Sequence, residues 1–144
     1  MLYKFINQTS PYYTEAVDLR IDLFYKDMEN AIDLINDNDE STSLHLVCLN
    51  DEKVIGAARL TFKEDIGVIS QVVVPRFQQH RGVGKGLIEM LINECKKQNM
   101  HKVILRARQT SIYFYKKFNF EGVGDIYPSK KTGILHQNME LILK

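Results

Sequence analysis

The residues most capable of chemistry sit in one glycine-spaced loop, Gln79-His80-Arg81-Gly82-Val83-Gly84. It lies between a β-branched run that ends at Val74-Pro75 and an amphipathic segment running from about Gly82 to Gln98. A helix that starts there presents backbone N–H groups with no intrahelical acceptor and roughly half a positive charge, which suits an anion. Glycine fits such a place because a side chain would hold a phosphate away from those N–H groups. The spacing excludes two nucleotide motifs. Counting back from Gly84-Lys85, the first glycine of a P-loop would fall on Gln79, and Gly86 follows the lysine where Ser or Thr is required. The third glycine of a dinucleotide fingerprint would fall on Leu87. The residues themselves leave two readings, a phosphate-binding turn or simply a tight strand-to-helix turn.

A strand must lead into this loop and a helix must follow it. Val83, Leu87, Met90, Leu91 and Cys95, with Ile88 and Ile92 beside them, make an apolar stripe, while Lys85, Glu89, Asn93, Lys96 and Lys97 face the other way. The patterning along the chain predicts strands over 2–7, 44–49, 53–63, 67–74, 102–107, 120–127 and 136–143. It predicts helices over 11–26, 82–98 and 110–118, with a helix or turn over 28–36. Asn50-Asp51-Glu52-Lys53 reads as a hairpin turn, and Glu64 and Asp65 fall in a second one. Asn36 to Ser43 is polar and of loop length. Antiparallel hairpins followed by βαβ pieces make an α/β domain around one mixed central sheet.

The chain's 144 residues suit a single domain, residues 1–144, with one core. A net charge of +1 without a basic face gives no reason to expect nucleic-acid or membrane binding. No apolar run approaches the roughly 20 residues that span a bilayer. Met1 to Gln8 alternates like a strand and lacks a signal-peptide core and cleavage site, so a cytoplasmic protein is expected. Cys48 and Cys95 fall in apolar patterns and read as buried reduced thiols rather than nucleophiles.

A second segment, Phe114-Tyr115-Lys116-Lys117-Phe118-Asn119-Phe120, stands about thirty residues after the loop. Together the two resemble the GNAT superfamily of acyl-CoA-dependent N-acyltransferases. Its motif A reads Gln/Arg-x-x-Gly-x-Gly/Ala, and its later signature reads Phe-Tyr-x-Lys-Leu-Gly-Phe. Gly133-Ile-Leu-His136-Gln-Asn-Met139 and Leu19-Arg20-x-x-Leu-Phe24 are similar to segments of the ElaA-like branch. The resemblance covers most of the chain, from about Lys53 onward, with a weaker match in the first helix. Asn119 replaces the usual glycine, a mild departure because Asn tolerates left-handed backbone. Arg108 and Ser111 replace the family's frequent Asn and Ala.

The resemblance implies a GNAT-type fold with a six- to seven-stranded mixed sheet and helices on both faces. It implies acetyl-CoA as co-substrate, no metal, and a small-molecule or peptide amine as acceptor. The acyl-CoA would lie between two splayed parallel strands, paired with the backbone of Val72, Val73 and Val74, and the Val72 N–H would face the thioester oxygen. The loop Gln79, His80, Arg81, Gly82, Val83, Gly84 and Lys85 would hold the pyrophosphate through its N–H groups. Arg81 and Lys85 side chains either add charge or stay solvated. Tyr115 stands where the family commonly has the general acid, the alternative being a packed core tyrosine. The glutamate that some members use as base is replaced by Val68, which leaves His136 as base, substrate ligand or structural residue. Arg20, Arg59, Arg106 and Arg108 could line the acceptor side and suit a carboxylate-bearing amine. The rival to an enzyme is a non-catalytic acyl-CoA-binding regulatory domain. Homodimers are common in the family.

Overall fold

The computed structural model describes all 144 residues. β1 (Leu2–Ile6) leads to α1 (Pro11–Phe24) and the short α2 (Ala31–Ile35). β2 (Leu44–Asn50), β3 (Lys53–Lys63) and β4 (Ile66–Val73) follow as a meander. α3 (Val83–Lys97), β5 (Lys102–Arg108), α4 (Ile112–Lys116), β6 (Glu121–Pro128) and β7 (Leu135–Ile142) complete the chain. The seven strands form one sheet in the order β1-β2-β3-β4-β5-β7-β6. Every pairing is antiparallel except β4 with β5, which α3 connects as a βαβ unit.

Local chemistry fixes the ends of these elements. Ser10 caps α1 by accepting the Tyr12 N–H at 3.2 Å, and Pro11 fills the first helical position, where its missing N–H costs nothing. The predicted helix over 110–118 is shorter than the pattern suggests. A 3₁₀ turn over Gln109–Ser111 leads into α4, and Asn119 ends the segment with φ 72°. The helix or turn expected over 28–36 resolves into a turn followed by one short helix.

The sheet separates two layers. On one side α3 buries Val83, Leu87, Ile88, Leu91, Ile92 and Cys95 against Leu46, Leu60, Ile69, Val103, Leu105 and Met139. On the other, α1 covers Val47, Leu49, Val54, Ala57 and Val73 with Ala16, and a separate cluster of Val17, Tyr25, Ala31 and Ile35 joins α1 to α2. Cys48 and Cys95 are fully buried, and burial pushes both thiols up, Cys95 to about 11, so neither forms a thiolate near neutral pH.

α3 lies close over β1 at Gly86, where an added Cβ would run into the hydroxyl and ring of Tyr3. The Tyr3 hydroxyl donates to the Gly82 carbonyl at 3.2 Å, tying the sheet edge to the start of the helix. Gly86→Ala should therefore cost roughly 1–3 kcal/mol by overpacking, read as a lower denaturant midpoint at unchanged slope. An unchanged midpoint would show that Tyr3 has room to withdraw.

Candidate active site

The loop between β4 and α3 leaves a row of N–H groups free. Arg76–Gln78 forms a 3₁₀ turn, His80 and Gly82 take positive φ of 66° and 83°, and α3 begins at Val83 with no side-chain cap. The first N–H of α3 to find an intrahelical acceptor belongs to Gly86, which donates to the Gly82 carbonyl at 3.0 Å. The N–H groups of His80, Arg81, Gly82, Val83, Gly84 and Lys85 donate to no protein acceptor. Gln79 differs from the expectation. Its N–H is committed to the Arg76 carbonyl at 3.2 Å, and its side chain donates to the Val74 carbonyl at 3.1 Å, so it shapes the loop rather than joining the free row. Arg81 donates to the Gln78 side chain, and Lys85 lies 4.0 Å from Glu89 on an exposed face.

Beside this loop the parallel strands part. The β4–β5 ladder runs from Ile66↔Lys102 to Ile69↔Leu105 and stops. β5 continues against β7 as far as Arg108↔His136, while β4 continues against β3 as far as Val73↔Ala57. The β5-facing edge of Gln71, Val72 and Val73 is thus left without a strand partner. A bulge re-aims that edge. The register passes from Arg59↔Ser70 to Ala57↔Val73, so Ala58 alone faces both Gln71 and Val72. Gln71 takes φ 54°, strained backbone for a residue with a side chain, and such strain persists only where its surroundings over-determine it.

The surroundings here are a polar network on the α1 side. The Gln71 side chain accepts from Arg20 Nε at 3.1 Å and donates to the Tyr25 hydroxyl at 3.2 Å. Arg20 makes a two-pronged pair with Glu40 at 2.7 Å on each side. Glu40 also accepts from Arg59 at 2.9 Å and from the Tyr13 hydroxyl at 2.7 Å. Arg59 pairs with Asp37 at 2.9 Å and donates to Ser70 at 2.8 Å. Arg20, Glu40, Arg59 and His45 are all buried, yet no buried side-chain nitrogen or oxygen lacks a partner. Burial alone would raise the Glu40 carboxyl, but the Arg20 and Tyr13 hydrogen bonds and the guanidinium charge outweigh it and hold the carboxyl at about 2. The polar loop 36–43 is therefore part of the interior at Glu40. Arg20 and Arg59 are also not free to receive a substrate carboxylate, because two protein carboxylates already neutralise them.

Tyr115 sits on the α3 side, its ring edge-on to Phe114 at 5.0 Å and Phe120 at 6.0 Å. Its residue is 8% exposed, and its hydroxyl makes no hydrogen bond within the protein and is not among the fully buried polar atoms. The ring packs in the core as the alternative expects, but the hydroxyl is not on a backbone carbonyl. Burial raises its pKa well above the ordinary value, so it stays protonated. His136 starts β7 on the opposite, α1-side face, in register with Arg108 on one side and Tyr127 on the other. Its Nδ1 lies 2.7 Å from the Ile134 carbonyl, which can only accept. In the neutral ring that contact puts the proton on Nδ1 and makes Nε2 the acceptor. Two open depressions of about 460 and 510 Å³ lie elsewhere, beside Lys116–Gly122 and at the β1–α1 edge, and neither holds these groups.

Three site-shaping residues, Gln71, Tyr25 and Glu40, escape the sequence reading. The available signal was Arg59 in the apolar run Val54–Phe62, because a charge there must meet a buried partner. Which residue that partner is has no mark in the local sequence.

A free-amide turn at the end of a bulged, splayed parallel strand defines a class of protein that cradles a phosphate-bearing ligand between strands. The family description "Acetyltransferase (GNAT) domain" matches residues 9–143. The chain belongs to this family and is an acyltransferase. It is 26% identical over 106 residues to the uncharacterized N-acetyltransferase YjcF of Bacillus subtilis (strain 168), covering 74% of this chain and 76% of that protein. Its fold is similar to crystal structures of Escherichia coli ElaA, at TM-score 0.79 and 21% identity over 96% of this chain and 97% of that one. An aminoglycoside 6'-N-acetyltransferase complexed with coenzyme A matches at TM-score 0.77 and 13% identity, over 100% and 98% of the two chains. The expected seven-stranded mixed sheet and the family are both found. No helix is long and apolar enough to cross a membrane.

Proposed function

We propose that this chain transfers an acetyl group from acetyl-CoA to a primary amine of a small molecule or peptide by direct attack. The row of free N–H groups from His80 to Lys85, beside the unpaired edge of β4, carries the reading. A pyrophosphate accepts from those amides, with Arg81 and Lys85 adding charge once they leave their weak exposed partners. The pantetheine arm completes the broken ladder along Val72, Val73 and Val74. The bulge turns the Val72 N–H toward the thioester oxygen, where negative charge develops during attack.

The two proton movements fall to groups on opposite faces of the sheet. An alkylamine with a pKa near about 10.4 is mostly protonated at neutral pH and must lose a proton before it attacks. His136 Nε2, on the α1-side face, accepts that proton, directly or through a water. The nitrogen then bonds to the carbonyl carbon, releases its second proton to solvent, and the carbon–sulfur bond breaks as the tetrahedral species collapses. Tyr115 delivers its hydroxyl proton to the departing thiolate, which stops its return. The amine thus enters from one side and the thiol leaves by the other.

The test is thermal unfolding with and without acetyl-CoA, with adenosine 3′,5′-bisphosphate as control, followed by thiol release on adding amines. Acetyl-CoA at a hundred times its dissociation constant should stabilise the fold by about 2.7 kcal/mol, a shift of roughly 5–10 °C. The shift should exceed that of the nucleotide alone. No shift at millimolar acetyl-CoA would remove the main support. A shift without thiol release from any amine would favour a domain that binds acyl-CoA without turning it over.

A further inference from the structure

Of the four arginines on this side of the sheet, Arg108 differs from the buried pair. It ends β5 on the α1-side face, half-buried, with its guanidinium 5.0 Å from the Phe24 ring. It makes no ion pair or hydrogen bond to any carboxylate, whereas Arg20 and Arg59 are neutralised by Glu40 and Asp37. Burial lowers its pKa with no carboxylate to offset the effect, yet a guanidinium so placed remains charged. The Phe24 ring holds the group by a cation–π contact and leaves its N–H fork unused.

The surroundings add positive charge, and the one carboxylate that Lys131 feels, Asp37, is shared with Arg59. Lys131 lies 5.7 Å over the Tyr25 ring, which is next to Phe24 in the chain and bonded through its hydroxyl to the bulge residue Gln71. His136 faces Arg108 directly across the β5–β7 ladder. Asp37 is engaged by Arg59, and Glu140, further along the same face of β7, is engaged by Lys102 at 3.3 Å. The acceptor side therefore holds a guanidinium with no carboxylate partner next to the proposed base.

We propose that Arg108, flanked by Lys131, is the acceptor-side anchor for a carboxylate, so that the substrate is a small amine that also carries a carboxylate group. A planar fork binds a carboxylate through two parallel hydrogen bonds, which sets the amine in one position relative to His136. Lys131 lends a second charge that needs no fixed geometry. This proposal rests on the acyl-transfer reading above.

The experiment measures acetylation by mass spectrometry for matched acceptors in the protein as it stands. Free L-amino acids are compared with their carboxamides and with amidated tripeptides bearing an acidic second residue. The acetyl-CoA thermal shift is recorded for every variant. The wild type should acetylate carboxylate-bearing amines roughly ten- to hundredfold more efficiently than neutral ones. The free acids or the acidic peptides will stand out according to which source supplies the carboxylate. Arg108→Gln should abolish that preference by raising KM for the acids, while the neutral amines and the acetyl-CoA shift are untouched. Arg108→Lys, which keeps the charge and the packing stem, should retain part of the preference and guards against misfolding of the first variant. Equal use of acids and carboxamides by the wild type would overturn the proposal. So would an equal loss on both in Arg108→Gln, or no turnover of any acid while the acetyl-CoA shift is intact. Absence of the shift itself would sink the donor-site reading and this proposal with it.

Discussion

Tyr115→Phe should lower kcat by roughly 10²–10⁴-fold while leaving the acetyl-CoA thermal shift in place. The hydroxyl has no protein partner, so removing it orphans nothing, and stability should change by less than about 1 kcal/mol. The ring keeps its edge-on contacts with Phe114 and Phe120. Loss of turnover with intact binding and intact folding would separate a proton donor from a core aromatic, because a purely structural tyrosine would move all three together or none. Burial holds the Tyr115 hydroxyl protonated well above its ordinary range. No alkaline limb in the kcat profile should therefore come from Tyr115 below about pH 10. Unchanged kcat in the Phe variant would mean that the thiolate takes its proton from elsewhere.

Glu40→Gln should be the most damaging single substitution for folding, at roughly 3–5 kcal/mol. Glutamine keeps the shape but leaves the buried Arg20 without a countercharge and Arg59 with Asp37 alone. Against a typical total of about 5–15 kcal/mol, that is a large fraction. The damage should spread to activity, because Arg20 is the group that holds the Gln71 side chain and so the bulge beneath Val72. The same carboxylate sets an acid limit. Glu40 is held at about 2 in the folded protein against an ordinary value of 4.5. Its contribution, roughly 3 kcal/mol, is fully present above 4.5 and is lost as pH falls toward 2. Urea midpoints measured from pH 7 down to 3 should converge for wild type and variant below about pH 4.5. Parallel curves across that range would show that Glu40 contributes packing rather than charge.

The order of elements was legible because each is specified by its own neighbours. Alternation along β3, the apolar stripe of α3 and the Ser10-Pro11 start of α1 are local patterns, and the folded elements match them within a few residues. The loop was legible for the same reason. Free amides at a helix start follow from where Gly82 stands in the chain, and Asn119 adopts the left-handed backbone that the motif requires. The partners of the arginines are less local. Arg108 and Arg20 look alike in sequence, and only the fold gives one a carboxylate partner and the other an aromatic face.

By itself, then, the sequence determined the sheet, the helix that opens on a phosphate-sized row of amides, and the positions of Tyr115 and His136 along the chain. The tertiary structure alone decided that Glu40, from a polar loop, is buried between Arg20 and Arg59. It also decided that Gln71 bulges, and that Tyr115 and His136 stand on opposite faces of the sheet. The reason is physical. Backbone periodicity and turn chemistry act over a few residues, whereas a buried charge is satisfied by whichever opposite charge the packing of distant elements brings within hydrogen-bond reach.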